Sequence, residues 1–157
     1  MPRQLWLLRH GDAESHGSVP DEERPLTERG ELQARNAGGA MARLKVEFEA
    51  VRTSPRVRAL ETARLALEAM GTGEPEVHWA LSGGFGADDA IELLESIEPD
   101  GRMLIVGHEP DFSRIVAELC GARIDMRKGG IAVVRVGPAG GELVALLRPR
   151  EIALLAS

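Results

Sequence analysis

Short apolar runs alternate with segments of helical periodicity along this chain, and the alternation restricts the folds open to it. Runs with the length and apolar content of strands occupy residues 4–8, 49–53, 75–81 and 103–107. Helical patterns fill residues 27–44, 55–70, 87–97 and 110–119. Because helices lie between the strands, we expect parallel pairing with helices on both faces of the sheet.

Capping residues and turn signals mark the ends of these elements. Thr27 is a good N-cap for the first helix, and Ser54-Pro55 resembles an N-cap with proline at the first helical position. Gly71 and Gly121 end the second and fourth helices. Residues 131–136 and 143–147 flank a turn and predict a terminal antiparallel hairpin. The sequence therefore predicts a three-layer α/β sandwich, with a mostly parallel central sheet and an antiparallel C-terminal edge.

Composition places the chain among ordinary globular proteins. Its 157 residues, with 43% hydrophobic and 28% charged, predict a single domain over 1–157. The net charge of −6 gives no indication of nucleic acid or an anionic membrane as partner. Cys120 is the one cysteine, which fits a reducing cytoplasm. The first apolar run is broken by Arg9 and His10, so we expect neither a signal peptide nor a membrane span. We expect the protein to be cytoplasmic, and to be a monomer.

Polar side chains follow three of the predicted strands. Arg9, His10 and Gly11 follow the first, Ser54 to Arg58 follow the second, and His108 follows residues 103–107. Ligands of open α/β sheets bind outside the carboxyl ends of the strands, so we expect these groups to share one crevice. Two imidazoles and two guanidiniums suit an anion with several oxygens, and a phosphoryl group is the best candidate.

Each of these groups has a physical role in phosphoryl transfer. A neutral His10 would be a competent nucleophile, and the Arg9 and Arg58 guanidiniums would neutralise the non-bridging oxygens. The start of the second helix would add backbone N–H groups. His108, if protonated, would donate a hydrogen bond to the phosphoryl group. Gly11 would let the backbone approach the bound anion.

The same residues carry a resemblance to a known family. Leu8-Arg9-His10-Gly11 resembles the RHG signature of the histidine phosphatase superfamily, which includes the cofactor-dependent phosphoglycerate mutases. Residues 54–63 (SPRVRALETA) and 106–108 (VGH) are similar to its two further motifs. Residues 9–14 (RHGDAE) and 24–27 (RPLT) resemble the compact SixA branch, the protein phosphohistidine phosphatases. The resemblance runs from residue 4 to the hairpin.

The resemblance implies a two-step mechanism and a set of site residues. His10 would become phosphorylated and water would then discharge it, with Arg9, Gly11, Ser54, Arg58 and His108 binding the phosphate. No cofactor and no metal would be required, and the sequence has no Cys or His cluster with ligand spacing.

The general acid of larger family members has no obvious counterpart here. Residues 80–89 (ALSGGFGADD) lack a matching glutamate, which leaves Asp12, Glu14 and Asp88 as candidates for the proton donor. A phosphomonoester must expel an alkoxide, whereas phosphohistidine expels imidazole and depends less on a carboxylic acid.

The missing acid and the absence of an insertion that could form a lid favour phosphohistidine on a signalling or phosphotransfer protein as substrate. The alternatives are a phosphatase for a small phosphomonoester such as a sugar phosphate or nucleotide, a mutase, and a non-catalytic phosphate-binding module. His16 and His78 are interpreted as surface or packing residues.

Overall fold

The structure is a computed structural model that describes residues 2–15, 17 and 19–157; His16 lies outside the described residues. Within them one sheet is formed by β1 (Arg3–Arg9), β2 (Ala50–Thr53), β3 (Glu76–Val77), β4 (Arg102–Gly107), β5 (Ile131–Gly137) and β6 (Gly140–Leu147). The strand order is β3-β2-β4-β1-β5-β6. Strands β1 to β4 pair in parallel, whereas β5 and β6 are antiparallel. The predicted sheet, with its antiparallel C-terminal edge, is confirmed.

Helices cover both faces of the sheet. They are α1 (Glu28–Arg43), α2 (Val57–Met70), α3 (Ala87–Leu94), α4 (Asp111–Cys120) and α5 (Pro149–Ala156). Leu5 and Leu7 of β1 pack in the core that α3 and α4 cover, and Trp6 and Leu8 pack in the core beneath α1, α2 and α5. A strand buried on both faces explains the continuous apolar run at residues 5–8. The three-layer sandwich is therefore confirmed.

Capping residues set several of the helix ends as the sequence predicts. The Thr27 hydroxyl accepts a hydrogen bond from the Gly30 N–H at 3.0 Å, so α1 begins after its N-cap. Gly71 and Gly121 end α2 and α4 with φ of 74° and 69°, the left-handed conformation that glycine adopts without strain. None of the helices in the described part of the chain is long and apolar enough to cross a membrane.

Two helix predictions need correction. Ser54-Pro55 does not begin α2, because Arg56 still has an extended backbone, with φ of −62° and ψ of 136°, and is itself the N-cap residue. Helix α3 ends at Leu94 rather than at residue 97. Helix α5 was not predicted at all, although Pro149 lies at its start and the Glu151 carboxylate accepts from the Arg148 N–H at 3.0 Å.

Candidate active site

The sheet brings the three predicted strand ends together. Arg9 of β1 is in register with Gly107 of β4, so His10 and His108 follow paired residues on adjacent parallel strands. Their ring centroids are 5.3 Å apart, close to the ~4.8 Å spacing between neighbouring strands. The Ser54 N–H donates to the Val106 carbonyl at 3.0 Å, which places the end of β2 beside the end of β4.

His10 is held as a neutral imidazole with one nitrogen available. Its Nδ1 lies 2.7 Å from the Gly11 carbonyl oxygen. A carbonyl can only accept, so Nδ1 carries the proton and Nε2 keeps the lone pair. Burial lowers the pKa of His10 to about 4, and the charges of Arg58 and Arg9 act in the same direction. At neutral pH the Nε2 atom therefore has the protonation state of a nucleophile.

His108 is oriented by Ser54. The fully buried Ser54 Oγ lies 2.7 Å from His108 Nε2 and accepts from the Arg56 N–H at 3.2 Å. The buried Ser54 O–H needs an acceptor of its own, and Nε2 is the acceptor within hydrogen-bond distance, so we assign the imidazole proton to Nδ1. Ser54, predicted to bind substrate, thus contacts His108.

Burial and neighbouring cations disfavour the protonated form of His108 that the sequence analysis considered. Burial lowers the pKa of His108 to about 3, and His10, Arg58 and Arg56 lower it further. His108 is therefore neutral at physiological pH and offers its Nδ1–H as an uncharged donor. The negative charge of a bound phosphoryl group would raise this pKa and strengthen the donor.

Arg9 and Arg58 are each anchored through the terminal Nη nitrogens of the guanidinium. Arg9 Nη1 donates to the Met126 carbonyl at 2.8 Å, and Arg58 Nη1 donates to the Asp21 carbonyl at 2.8 Å. Their Nε atoms are buried and make no hydrogen bond, and the same is true of His108 Nδ1. Within the described part of the chain, these are the buried side-chain nitrogens and oxygens that lack a partner. Such donors call for a ligand, and an oxyanion is the group that would accept from all three.

Asp21, which the sequence analysis did not select, links the arginines around the site. Its carboxylate accepts from Arg56 Nη1 at 2.6 Å and from Arg58 Nη2 at 3.3 Å, and Arg24 Nη2 lies at 2.8 Å. Burial opposes ionisation of Asp21, but the hydrogen bond and charge of Arg24 and the charge of Arg58 outweigh it and lower the pKa. Asp21 thereby fixes the Arg58 guanidinium.

Residues 24–27 (RPLT), which carry part of the family resemblance, contain Arg24 and were the sequence signal that pointed to the cluster around Asp21. Arg24 also donates from Nη1 to the Glu14 carbonyl at 2.7 Å, so it is a structural cation of the loop rather than a solvated one. Arg56 spans the crevice in a similar way, because its Nε donates to the Ser82 carbonyl at 2.8 Å.

Gly11 lies close to the backbone of Gly30 in the first turn of α1. A Cβ at Gly11 would lie 2.6 Å from the Gly30 carbonyl oxygen, so only glycine lets the loop pass over the first turn of α1. Its N–H donates to the buried Thr62 hydroxyl at 3.1 Å. The contact with Gly30 accounts for Gly11, whereas the sequence analysis expected an approach to the bound anion.

The three proton-donor candidates are not joined to the histidines. Asp12 accepts from the Thr27 hydroxyl at 2.8 Å and lies 3.3 Å from Lys128 Nζ. The Thr27 bond and then Lys128 lower its pKa, which favours the ionised form and does not suit a proton donor. Glu14 and Asp88 are exposed. Among the described residues, none of the three forms a hydrogen bond or ion pair with His10 or His108, and the proton donor stays a prediction.

Comparison with known proteins decides the family. The model of the histidine phosphatase superfamily (branch 1) matches residues 5–82. The phosphohistidine phosphatase SixA of Escherichia coli is 32% identical over 120 residues, which cover 74% of each chain. The chain belongs to the histidine phosphatase superfamily.

Structural neighbours place this superfamily member in the SixA-type branch. A solved structure of the protein histidine phosphatase SixA complexed with tungstate aligns with a TM-score of 0.86 and 26% identity, over 95% of this chain and 99% of that one. Phosphoglycerate mutase from Bacillus anthracis aligns with a TM-score of 0.82 and 14% identity, over 99% of this chain and 97% of that one, and so shares the fold. The resemblance read from the sequence motifs is confirmed. Across the described residues, no group of three or more His, Cys, Asp or Glu side chains is placed to hold a metal ion.

Proposed function

We propose that this superfamily member is a phosphatase that removes the phosphoryl group from phosphohistidine on a signalling or phosphotransfer protein, through a phosphohistidine intermediate on His10. The observation that carries the proposal is the set of buried, unpartnered N–H donors on Arg9, Arg58 and His108, next to the free Nε2 of His10. These are charge-assisted or neutral donors of the kind that stabilise a transferring phosphoryl group.

In the first step, the lone pair of His10 Nε2 attacks phosphorus. The bond between phosphorus and the substrate imidazole breaks, and that imidazole, protonated on its other nitrogen, leaves as a neutral ring. His10 now carries the phosphoryl group on Nε2 and its original proton on Nδ1, so its ring becomes positively charged. The Gly11 carbonyl that accepts from Nδ1 at 2.7 Å stabilises this charge.

In the second step, water attacks the phosphorus of phosphorylated His10. The bond to Nε2 breaks and its electron pair returns to the ring, which is again neutral with the proton on Nδ1. Dihydrogen phosphate is the product and carries both protons of the water molecule. Arg9, Arg58 and the Nδ1–H of His108 stabilise the non-bridging oxygens in both steps.

The choice of phosphohistidine as substrate rests on the leaving group. Asp12 is held as a carboxylate, and Glu14 and Asp88 are exposed without contact to the histidines. A leaving imidazole that is already protonated tolerates this arrangement, whereas an alkoxide does not. The relatives named phosphohistidine phosphatase SixA and protein histidine phosphatase SixA support the same substrate class.

A leaving-group series tests the proposal. We would measure kcat/KM for a phosphohistidine-bearing protein, a small phosphoramidate, and aryl and alkyl phosphates of similar size. Phosphoramidates should react much faster than alkyl phosphates, and the rate of ester hydrolysis should rise steeply as the alcohol becomes more acidic. His10→Asn is the matched control, because its amide can still donate to the Gly11 carbonyl but cannot form the intermediate. A flat series with fast hydrolysis of alkyl phosphates would make the small-molecule phosphatase the better assignment.

We further propose that the chain works as a single-domain monomer in the cytoplasm. One sheet with a core on each face runs through the described residues, which supports a single folding unit. The lone Cys120 supports a reducing compartment. Light scattering on the purified protein tests the monomer directly, and a dimer at micromolar concentration would contradict it.

A further inference from the structure

A basic pocket of about 520 Å³ adjoins the phosphate-binding residues. Its cationic lining comes from the end of β1, the first turn of α1, the loop before β5 and the start of α5. The cations are Arg9, Arg29, Arg127, Lys128, Arg148 and Arg150, and Asp12 is the carboxylate among the lining residues. Arg9 therefore belongs both to this basic pocket and to the candidate active site.

This concentration of charge runs against the composition of the chain. Six of the chain's 19 lysines and arginines line one pocket, although the protein has a net charge of −6. Ion pairs with acidic neighbours occupy three of them: Arg127 with Asp125, Lys128 with Asp12, and Arg148 with Glu151.

Two cations of the basic pocket are near a carboxylate, Arg29 near Asp12 and Arg150 near Glu151, but do not pair with it directly. In the described part of the chain, Arg29 and Arg150 form no ion pair and no side-chain hydrogen bond, and both are exposed. Like charges gathered in this way repel one another, so the arrangement favours an anionic partner that bridges them.

The form of the basic pocket favours a protein surface as that partner. Its cations apart from Arg9 are exposed side chains distributed over three parts of the chain: the first turn of α1, the loop before β5 and the start of α5. A site for one compact anion would bring buried donors together, as the candidate active site does. Exposed, distributed charges instead steer and orient an extended surface of opposite charge.

We propose that the basic pocket docks an acidic protein surface that flanks the phosphohistidine of the substrate. The phosphohistidine part of this inference rests on the proposed function. Glutamate or aspartate side chains beside the phosphorylated histidine contact Arg29 and Arg150, while the phosphoryl group reaches Arg9 and His10. The pocket thus selects acidic phosphoproteins over neutral ones.

Two phosphohistidine peptides that differ only in charge test this docking. One carries glutamates around the phosphohistidine and the other carries glutamines at the same positions. At low ionic strength, wild-type protein should show a kcat/KM about tenfold higher for the glutamate peptide, and about 0.15 M salt should reduce that preference. The R29E/R150E variant should lose the preference. R43E, a single charge reversal, is the control for a change outside the pocket, because Arg43 lies in the last turn of the same helix as Arg29, about 20 Å along its axis.

A small phosphoramidate separates docking from chemistry. In the described part of the chain, Arg29 and Arg150 form no hydrogen bond with Arg9, Arg58 or His108, so R29E/R150E should hydrolyse the phosphoramidate as fast as wild-type protein. Equal loss of activity on the phosphoramidate and on the glutamate peptide would overturn the inference. So would equal kcat/KM values of wild-type protein for the two peptides.

Binding without turnover distinguishes this inference from the proposed function. Fluorescence anisotropy with the unphosphorylated, labelled glutamate peptide should show binding to wild-type protein and R43E, and at least about tenfold weaker binding to R29E/R150E. If the enzyme hydrolysed only phosphomonoesters, the proposed function would fail while this result would still support an acidic docking surface. No difference in anisotropy between the variants, or stronger competition by an oligonucleotide than by the peptide, would overturn the assignment to an acidic protein.

Discussion

Acidification from pH 8 to pH 5 should weaken the fold through the two site histidines. The pKa of His10 is about 4 in the folded protein, and the ordinary value near 6.5 applies after unfolding. As the pH falls, the unfolded chain therefore binds a proton before the folded protein does. The contribution of the neutral His10 ring to the free energy of unfolding is therefore complete above pH 6.5. It falls as the pH drops below 6.5 and is lost progressively down to the folded pKa.

The size of the effect follows from the same two values. A pKa lowered from 6.5 to about 4 removes about 2 kcal/mol from the free energy of unfolding at pH 5, and about 3 kcal/mol at pH 4. His108, with a pKa lowered to about 3, removes about 2 kcal/mol at pH 5. The two rings lie 5.3 Å apart and influence each other, so the joint loss at pH 5 is at most about 4 kcal/mol.

Urea denaturation at both pH values, followed by circular dichroism, measures this loss. Wild-type protein is compared with a double variant in which His10→Asn keeps the donor to Gly11 and His108→Gln keeps the contact with Ser54. Other groups also titrate in this range, so the informative quantity is the difference between the two proteins. Between pH 8 and pH 5, the free energy of unfolding should fall by several kcal/mol less in the double variant than in wild-type protein. Parallel losses in the two proteins would refute the reasoning that burial holds these imidazoles neutral.

Several further outcomes are expected at single residues. His10→Ala should abolish turnover, and labelled substrate should leave an acid-labile, base-stable phosphoryl adduct on His10 of the wild-type protein; label on another residue would contradict the mechanism. Arg58→Ala should lower kcat/KM at least about a hundredfold, and Arg58→Lys should restore only part of this, because a point charge cannot reproduce the guanidinium fork; full rescue by lysine would argue against that geometry. Ser54→Ala should lower kcat about tenfold and shift its pH profile, because His108 loses the group that sets its tautomer; an unchanged profile would exclude that role. Gly11→Ala should lower the melting temperature by several degrees, because its Cβ would meet the Gly30 carbonyl at 2.6 Å; an unchanged melting temperature would count against the close contact.

Much of the fold could be predicted because its signals are local. The buried runs in β1 and β4 and the glycines after α2 and α4 act within a few residues of the elements they define. Helix α5 escaped prediction because it has only eight residues, and its Ile152 is buried through packing in the core beneath α1 and α2. The start of α2 was misplaced because a serine followed by a proline is only a local pattern, and the extended backbone of Arg56, which sets the N-cap, is not visible in that pattern.

The part of the candidate site that lies at the ends of strands could be predicted from the expected sheet topology. Arg9, His10 and His108 stand at the ends of strands, and parallel pairing was enough to bring them together. Asp21 was not predictable, because its position depends on contacts with Arg56 and Arg58 that lie 35 and 37 residues away. The basic pocket could not be predicted from the sequence for a related reason. Net charge averages over the whole chain, whereas the clustering of cations is a property of the folded surface.

The pairing of β1 with β4 positions the two site histidines, whereas other segments supply most of the cations of the basic pocket. The distance between His10 and His108 is set by the hydrogen-bond ladder of the sheet, while the basic pocket that we assign to recognition depends on a loop and on the starts of α1 and α5. Changes in the exposed side chains of those segments, such as Arg29 and Arg150, can therefore alter substrate choice while the backbone contacts that hold Arg9 and Gly11 are kept. The shared architecture with a phosphoglycerate mutase at 14% identity shows how far sequences can diverge around one such sheet. For protein engineering, this favours exchanging exposed side chains of the basic pocket over grafting whole loops, because the loop before β5 and the first turn of α1 also hold Arg9 and Gly11.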